Sequence, residues 1–466
     1  MTSPSLTDPE SHPLRRTLGL WPAMTIVIGT IIGSGIFLVP SAMIKAVGSP
    51  AMVFVVWIFG GILTLFGALS YAELAAAMPD SGGEFVYLGR AYGPIYGFMY
   101  GWSQTVVGKS ASIAALGAAL VIYLADFFPS LDRVWLHTSW PIGPEGAPFE
   151  IRFGQLVAMG FILLLTLVNY SGTRIGGRVQ VAGTFLKMAL IAAIVVLGLT
   201  SHAGSVANFG IAYTGDAGHA PLGGVAGFFS ALVAALWAYD GWSNGPMIGG
   251  EIRDPEKNLP RALIGGTLIV MATYLLANLA YFYVLSGPEV AASGRVATAA
   301  MSKVLGSSGG SIVTIAAFIS IFAGLNGMIL SGARLPFAMA RKGQFFAWAR
   351  SIDPKFGTPS GALLFLGLFS SLLLLSGRFE DLARMVIFSE WIFYAMTAFA
   401  VIALRRSQPS LPRPYRVLGY PLVPMVFVLV AVGLLGSTLW AYPRESGLGL
   451  VLIAAGLPFY FHWRKA

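Results

Sequence analysis

An all-α integral membrane protein with twelve transmembrane helices is the fold class that this sequence predicts, and three observations carry the prediction. Of its 466 residues, 56% are hydrophobic and only 11% are charged, whereas a soluble domain carries roughly 25% charged residues. Apolar stretches long enough to cross a hydrocarbon core of about 30 Å recur along the whole chain. Two of these stretches are interrupted by glycine or proline at their centres, where lipid offers the backbone no alternative partner.

Along the chain, the apolar runs predict helices near 18–44, 51–78, 92–126, 152–170, 179–199, 222–249, 259–286, 310–340, 358–376, 380–404, 421–441 and 446–463. Residues 1–17 are expected to be a short cytoplasmic tail, because the polar start lacks the basic opening and compact apolar core of a cleavable leader. Segments one to five (18–199) and six to ten (222–404) are expected to form two inverted repeats. Segments eleven and twelve (421–463) follow them within a single domain.

Basic residues orient the chain, since cytoplasmic loops retain Lys and Arg. Arg15, Arg16, Arg90, Arg174, Arg253, Lys257, Arg341, Arg405 and Arg464 all fall on the side of the N-terminus, and the opposite loops are poorer in them. Both termini are therefore expected in the cytoplasm. The same distribution accounts for the net charge of +9 without nucleic acid, because the charge is divided among short loops instead of covering one soluble face. The chain has no cysteine, which excludes disulfides and thiolate sites, and its five histidines show no paired metal spacing. No metal or cofactor is expected.

The first interrupted segment reads "IVIGTIIGSGIFLVP" (residues 26–40), and the second reads "AALWAYDGWSNGPMIGGE" (234–251), with Asp240, Gly241 and Pro246 inside an apolar run. Gly29 and Gly33 taken alone fit close helix packing. Interruptions in corresponding helices of two halves point instead to a transporter site at the repeat interface. A half-helix starting near Gly35 presents free N–H groups and a positive dipole end to a carboxylate. Half-helices ending near Ile31 and Trp237 present free carbonyls to an ammonium. The two poles fit the main chain of an amino acid.

"GTIIGSGIF" (Gly29–Phe37), "LWAYDGW" (Leu236–Trp242) and "EIRDPEKNLPRAL" (Glu251–Leu263) resemble the amino acid–polyamine–organocation superfamily, within it the L-type amino acid transporter branch and related bacterial exchangers. "VNYSGTRIGGRVQVAGTFLK" (168–187), "GLNGMILSGARLPFAMARKGQF" (324–345), "DPKFGTPSGAL" (353–363) and "RPYRVLGYPLVP" (413–424) extend the likeness over nearly the whole chain. The resemblance implies a LeuT-like core of two five-helix repeats in the plasma membrane, the inner membrane of a bacterium. It also implies an L-amino acid substrate, with the backbone of Gly33, Ser34 and Gly35 on its carboxylate and the Ile31 carbonyl toward its amino group. Trp237 would close over the substrate from outside. Ala238 and Asp240 would line the side-chain pocket, with Ser320 and Gly324 facing the same cavity from segment eight.

The resemblance further implies that Lys187 in segment five substitutes for a sodium ion. Counted from the expected helix start, it lies about 12 Å into the segment, where a lysine costs about 2.5–3.5 kcal/mol even on a lenient scale. Lys187 and Lys109 are the candidate coupling residues. If Lys109 faces the cavity, it could satisfy Asp240 or repel a cationic substrate. Relatives often have Lys or Arg before Pro-Ser-Ser at that place, whereas here Lys109 precedes Ser-Ala-Ser. Animal members of the branch hold a glycoprotein subunit through a cysteine, so no covalent heavy chain is expected and a monomer is.

An acid such as Asp240 fits a cationic side chain, a protonated wall of a neutral pocket, or a hydrogen bond to the break itself. Neutral substrates, a cationic amino acid or polyamine, and proton symport therefore stay open. A membrane-embedded enzyme would need convergent titratable groups. The intramembrane inventory read from sequence is confined to Lys109, Lys187 and Asp240. "EIRDPEKNLPR" is expected to cap the cytoplasmic side as a short turn or helix, and "RKGQFFAWAR" to lie along the inner face as an amphipathic segment.

Overall fold

The computed structural model describes residues 14–138, 149–215, 220–376, 379–441 and 443–465. Residues 1–13 of the expected tail lie outside the described residues. By length and composition, nine described helices can cross a membrane, or ten when the bent pair Leu20–Ile31 and Gly35–Val47 is one span. That pair is segment one. Segments six and nine appear as shorter apolar helices, Gly224–Ala238 and Ser360–Leu375. Segment six is short because its continuation is only a turn, the brief helix Asn244–Met247 and a 3-10 turn at Gly249–Glu251.

The remaining segments are Pro50–Ala77, Pro94–Leu124, Phe153–Tyr170, Thr173–Thr200, Pro255–Val284, Ser307–Arg341, Phe379–Ser407, Leu422–Ala441 and, as a broken twelfth, Pro443–Ala454 with Leu457–Lys465. Short helices at Gly287–Ala292 and Val296–Leu305 and a two-stranded hairpin (Val134–His137 with Glu150–Arg152) decorate the face opposite the N-terminus.

Three expectations change. Segment five starts at Thr173 rather than residue 179, so Lys187 lies fourteen residues into the helix, about 21 Å, and not 12 Å. "EIRDPEKNLPR" forms no separate cap, because Asp254, in the left-handed region at φ 44°, precedes Pro255 as the first residue of a thirty-residue helix. "RKGQFFAWAR" forms no amphipathic helix beyond a short 3-10 turn at Ala347–Arg350.

Two apolar cores are built into the bundle. Segments three, four, eight and nine share their own apolar core around Ile113, Ile162, Leu325 and Leu363. The larger core runs through segments one, two, five, six and seven and takes in residues of segments three, eight and ten, and segment eight packs along segment five. In lipid the hydrophobic effect between helices is lost, so close packing and polar contacts must supply the cohesion. The most deeply buried ion pair among the described residues joins segment eight to the end of segment six. There Arg334 of segment eight donates to both oxygens of Glu251 (3.0 and 2.8 Å) and to Thr173 of segment five (3.1 Å), with Arg334 and Glu251 almost wholly buried. Glu73 of segment two is held likewise by Arg405 (2.6 Å) and Arg413 (3.4 Å).

Removing one partner of a buried pair strands the other charge, which costs about 3–5 kcal/mol, whereas replacing both with apolar groups is often neutral. Arg334→Met is therefore expected to lower the thermal midpoint of the detergent-purified protein sharply. The double variant Arg334→Met with Glu251→Leu is expected to regain most of the loss, as read by differential scanning fluorimetry.

Candidate functional site

Segment one stops being helical at Ile31 and resumes at Gly35, with a bend of 42° between its halves. Ile32 takes an extended conformation that ends the first half, and Gly33 and Ser34 complete the link. Among the described residues, the backbone N–H groups of Gly33, Ser34 and Gly35 have no protein acceptor. A side chain added at Gly33 would meet nothing within 4 Å. The second half thus opens with free donors beside open space, the arrangement that attracts an anion to a helix N-terminus.

The carbonyl side of the same break is occupied by side chains. Lys187 is wholly buried, and its ammonium donates to Gly29 O (3.0 Å), Ile32 O (2.6 Å) and Ser320 O (3.0 Å). Ser320 turns its hydroxyl to Ile32 O and Gly33 O, both at 3.2 Å. Gly324 brings segment eight so close that an added Cβ would lie 3.4 Å from Gly29 O. Ser320 and Gly324 therefore support the backbone of the break from behind.

Segment six breaks at the same level, and the two breaks touch. The first half ends at Ala238, and Gly241, at φ +114°, turns the chain toward Asn244. Thr30 donates to Gly241 O (2.9 Å), and an added Cβ at Gly35 would strike Ala238 Cβ at 2.9 Å. The Tyr274 hydroxyl of segment seven lies 2.7 Å from Ala238 O and 3.2 Å from Ile31 O. One hydroxyl proton serves both helix ends, so the Ile31 carbonyl is partly engaged before any ligand arrives. Trp237 O likewise accepts from the Asp240 N–H (3.3 Å) and is not wholly free. The Trp237 ring stands 47% exposed, next to Gly35.

Asp240 accepts from the Tyr394 hydroxyl of segment ten at 2.7 Å. Lys109 does not reach it; its ammonium pairs with Glu390, 3.7 Å away, and Lys109 is buried while Glu390 is partly so. Lys109 directly follows a π-helical turn, Gln104–Gly108, in segment three, a distortion that often marks a functional position.

The buried inventory is richer than the sequence reading allowed. Glu84, Glu73, Glu251 and Arg334 join the buried Lys109 and Lys187, and Glu390 joins Asp240 in being partly buried. Glu390 sits alone among apolar neighbours in "MVIFSEWIFY", and its being an acid in a predicted span was the signal available. Tyr274 offered no comparable signal, since an aromatic in an apolar helix is ordinary.

Facing breaks, unpaired N–H groups on one side and backbone carbonyls on the other define a secondary transporter with a site between discontinuous helices. The chain belongs to the amino acid permease family, whose model matches residues 18–454. It is 36% identical to the serine/threonine exchanger SteT of Bacillus subtilis (strain 168) over 98% of both chains. It is 32% identical to the human b(0,+)-type amino acid transporter 1, over 97% of this chain and 89% of the relative. It is 34% identical to the large neutral amino acids transporter small subunit 2 of Mus musculus, over 96% and 81%.

Because a Cβ on Gly241 would fall 2.6 Å from Thr30 O and the φ is unfavourable to L-residues, Gly241→Ala is expected to push the breaks apart. Transport by the reconstituted variant should fall at least tenfold, while its gel-filtration profile stays that of the wild type.

Proposed function

We propose that the protein carries neutral L-amino acids across the plasma membrane by sodium-independent exchange. The observation that carries this reading is the free N–H groups at Gly33, Ser34 and Gly35 beside the carbonyl ends of Ile31 and Ala238, which one Tyr274 hydroxyl joins. The α-carboxylate lies at the first pole and the α-ammonium at the second, where it competes with the Tyr274 hydroxyl for carbonyl lone pairs. Binding of serine and threonine by a relative of similar length supports a small side chain.

Ala238 and Asp240 border the side-chain end. Asp240 is already engaged by Tyr394, which favours an uncharged substrate over arginine or lysine. Trp237 swings over the occupied site, and the body containing segments one and six rocks against that of segments three, four, eight and nine. Segments one to five and six to ten act as inverted repeats, with both termini in the cytoplasm. The chain works as a monomer without a covalent partner.

Lys187 makes sodium unnecessary in this reading. Its ammonium occupies the carbonyl cluster of Gly29, Ile32 and Ser320, where a cation is required to balance converging negative dipole ends. A loss of that charge leaves these carbonyls unsatisfied in a dry site.

Uptake of a radiolabelled amino acid panel into proteoliposomes in sodium-free buffer tests the proposal. Serine, threonine or alanine uptake that requires internal amino acid is the expected result; preference for arginine or lysine would assign Asp240 to a cationic side chain and overturn neutral selectivity. Lys187→Ala is expected to reduce sodium-free uptake at least tenfold, and unchanged sodium-free uptake by this variant would contradict the assigned role.

A further inference from the structure

The paired breaks account for an amino acid's main chain but leave a second group of buried charges unused. Glu390 of segment ten faces Lys109 of segment three at 3.7 Å, with side-chain exposures of 14% and 4%. One turn further along segment ten, Tyr394 donates its only hydroxyl proton to Asp240 at the break of segment six. Tyr394 lies against Glu390 as well, and Ser243 sits 3.3 Å from the same hydroxyl. Glu84, at the start of the helix Glu84–Tyr92, is wholly buried, and neither of its oxygens makes a hydrogen bond of proper geometry, although Tyr71 and Tyr100 stand beside it.

The groups facing Glu390 can be taken element by element. Segment two presents Tyr71, the helix Glu84–Tyr92 presents Glu84, and segment three presents Tyr100 and Lys109. The break of segment six presents Asp240, segment eleven carries no charged residue, and Arg444 of segment twelve, which also packs on segment ten, is exposed. Among the described residues, three carboxylates therefore share one ammonium. Lys187 does not relieve them, since its three hydrogen bonds all go to carbonyls of segments one and eight. A cluster of net charge −2 is tolerated while water still reaches the partly exposed Asp240 and Glu390, and becomes too costly once that water is displaced, when like carboxylates brought together retain a proton between them.

We propose that Glu390 and Asp240, bridged by Tyr394, form a proton-binding site that takes up one proton when a neutral amino acid is bound. The proposal rests on the reading of the protein as an amino acid carrier. The balance is simple: one carboxylate and one proton from water give one carboxylic acid, no other bond changes, and Lys109 remains an ammonium paired with the carboxylate left ionised. Binding dries the cavity beside Asp240, so the occupied site holds the proton more firmly than the empty one. By linkage, a proton bound more tightly in the complex makes amino acid affinity fall as pH rises, by up to about tenfold per unit for one proton. In exchange the proton travels with each leg and leaves no net current; in net uptake it makes the carrier a symporter.

The test is proton uptake on binding, followed with a pH indicator in weakly buffered detergent solution while serine is titrated into the purified full-length protein. Serine binding itself is measured separately by scintillation proximity between pH 5.5 and 8.5. Wild-type protein is expected to take up about one proton per serine bound, with affinity weakening toward high pH. Glu390→Gln is expected to bind serine with no proton uptake and a flat pH profile. Tyr394→Phe, which removes a single oxygen, keeps the test available if Glu390→Gln does not fold, and should at least halve the uptake. Serine binding without proton uptake by the wild type, or uptake by Glu390→Gln equal to that of the wild type, would overturn the proton site alone. Absence of binding by any amino acid at any pH would overturn the carrier reading on which it rests.

Discussion

A backbone N–H or C=O released from a helix inside hydrocarbon has no water to turn to, and the centre of this molecule is organised by that constraint. Segments one and six both leave the helix at mid-membrane, and nearly every freed group is met by a named side chain. Lys187, Ser320 and Tyr274 serve the carbonyls of segment one; Tyr274, Thr30 and Asn244 serve those of segment six. The N–H groups of Gly33, Ser34 and Gly35 are left over. An unfilled set of donors in an otherwise satisfied shell is where a ligand's oxygens are worth most.

Much of this was legible in the sequence because it depends on local signals. The glycines around Ser34 and the Asp240-Gly241 turn with Pro246 beyond it weaken helices wherever they stand, and the lengths of the apolar runs follow from bilayer thickness alone. Segment six nonetheless reads as one continuous run from 222 to 249, while in the structure its first helix ends at Ala238. Composition reveals that a helix is weakened but not how much of the remainder regains helical geometry. The start of segment five was missed for a related reason: "TRIGGRVQ" is too polar to count as membrane, yet it is helical because Thr173 and Gln180 bury against other segments.

The partners of buried charges were the least legible part. Glu251 and Arg334 are 83 residues apart, and Glu73 and Arg405 are 332 apart. Each member alone looks like an ordinary loop charge at a helix end. Lys109 illustrates the same limit, since the sequence allowed it to satisfy Asp240 and gave no sign of its choice of Glu390. That choice depends on how segment ten packs against segment three, and the π-helical turn before Lys109 has no marker in a one-dimensional pattern. Pairing of this kind separates a polar network at the side-chain end of the site from the main-chain site formed by the breaks.

The smaller core shared by segments three, four, eight and nine gives the proposed motion a physical basis, since a dense apolar core moves as a unit and sliding is confined to the surface around it. Lys187, on segment five, holds segment one to segment eight through carbonyls. The central claim is that the breaks hold the substrate's two main-chain charges. It is tested most directly by competition of serine, serine amide and N-acetylserine against radiolabelled serine on the purified protein. Strong competition by serine, with at least a hundredfold weaker competition by both blocked analogues, is the predicted result. Equal competition by either analogue would contradict the account, because the pole left without its charge would have contributed nothing.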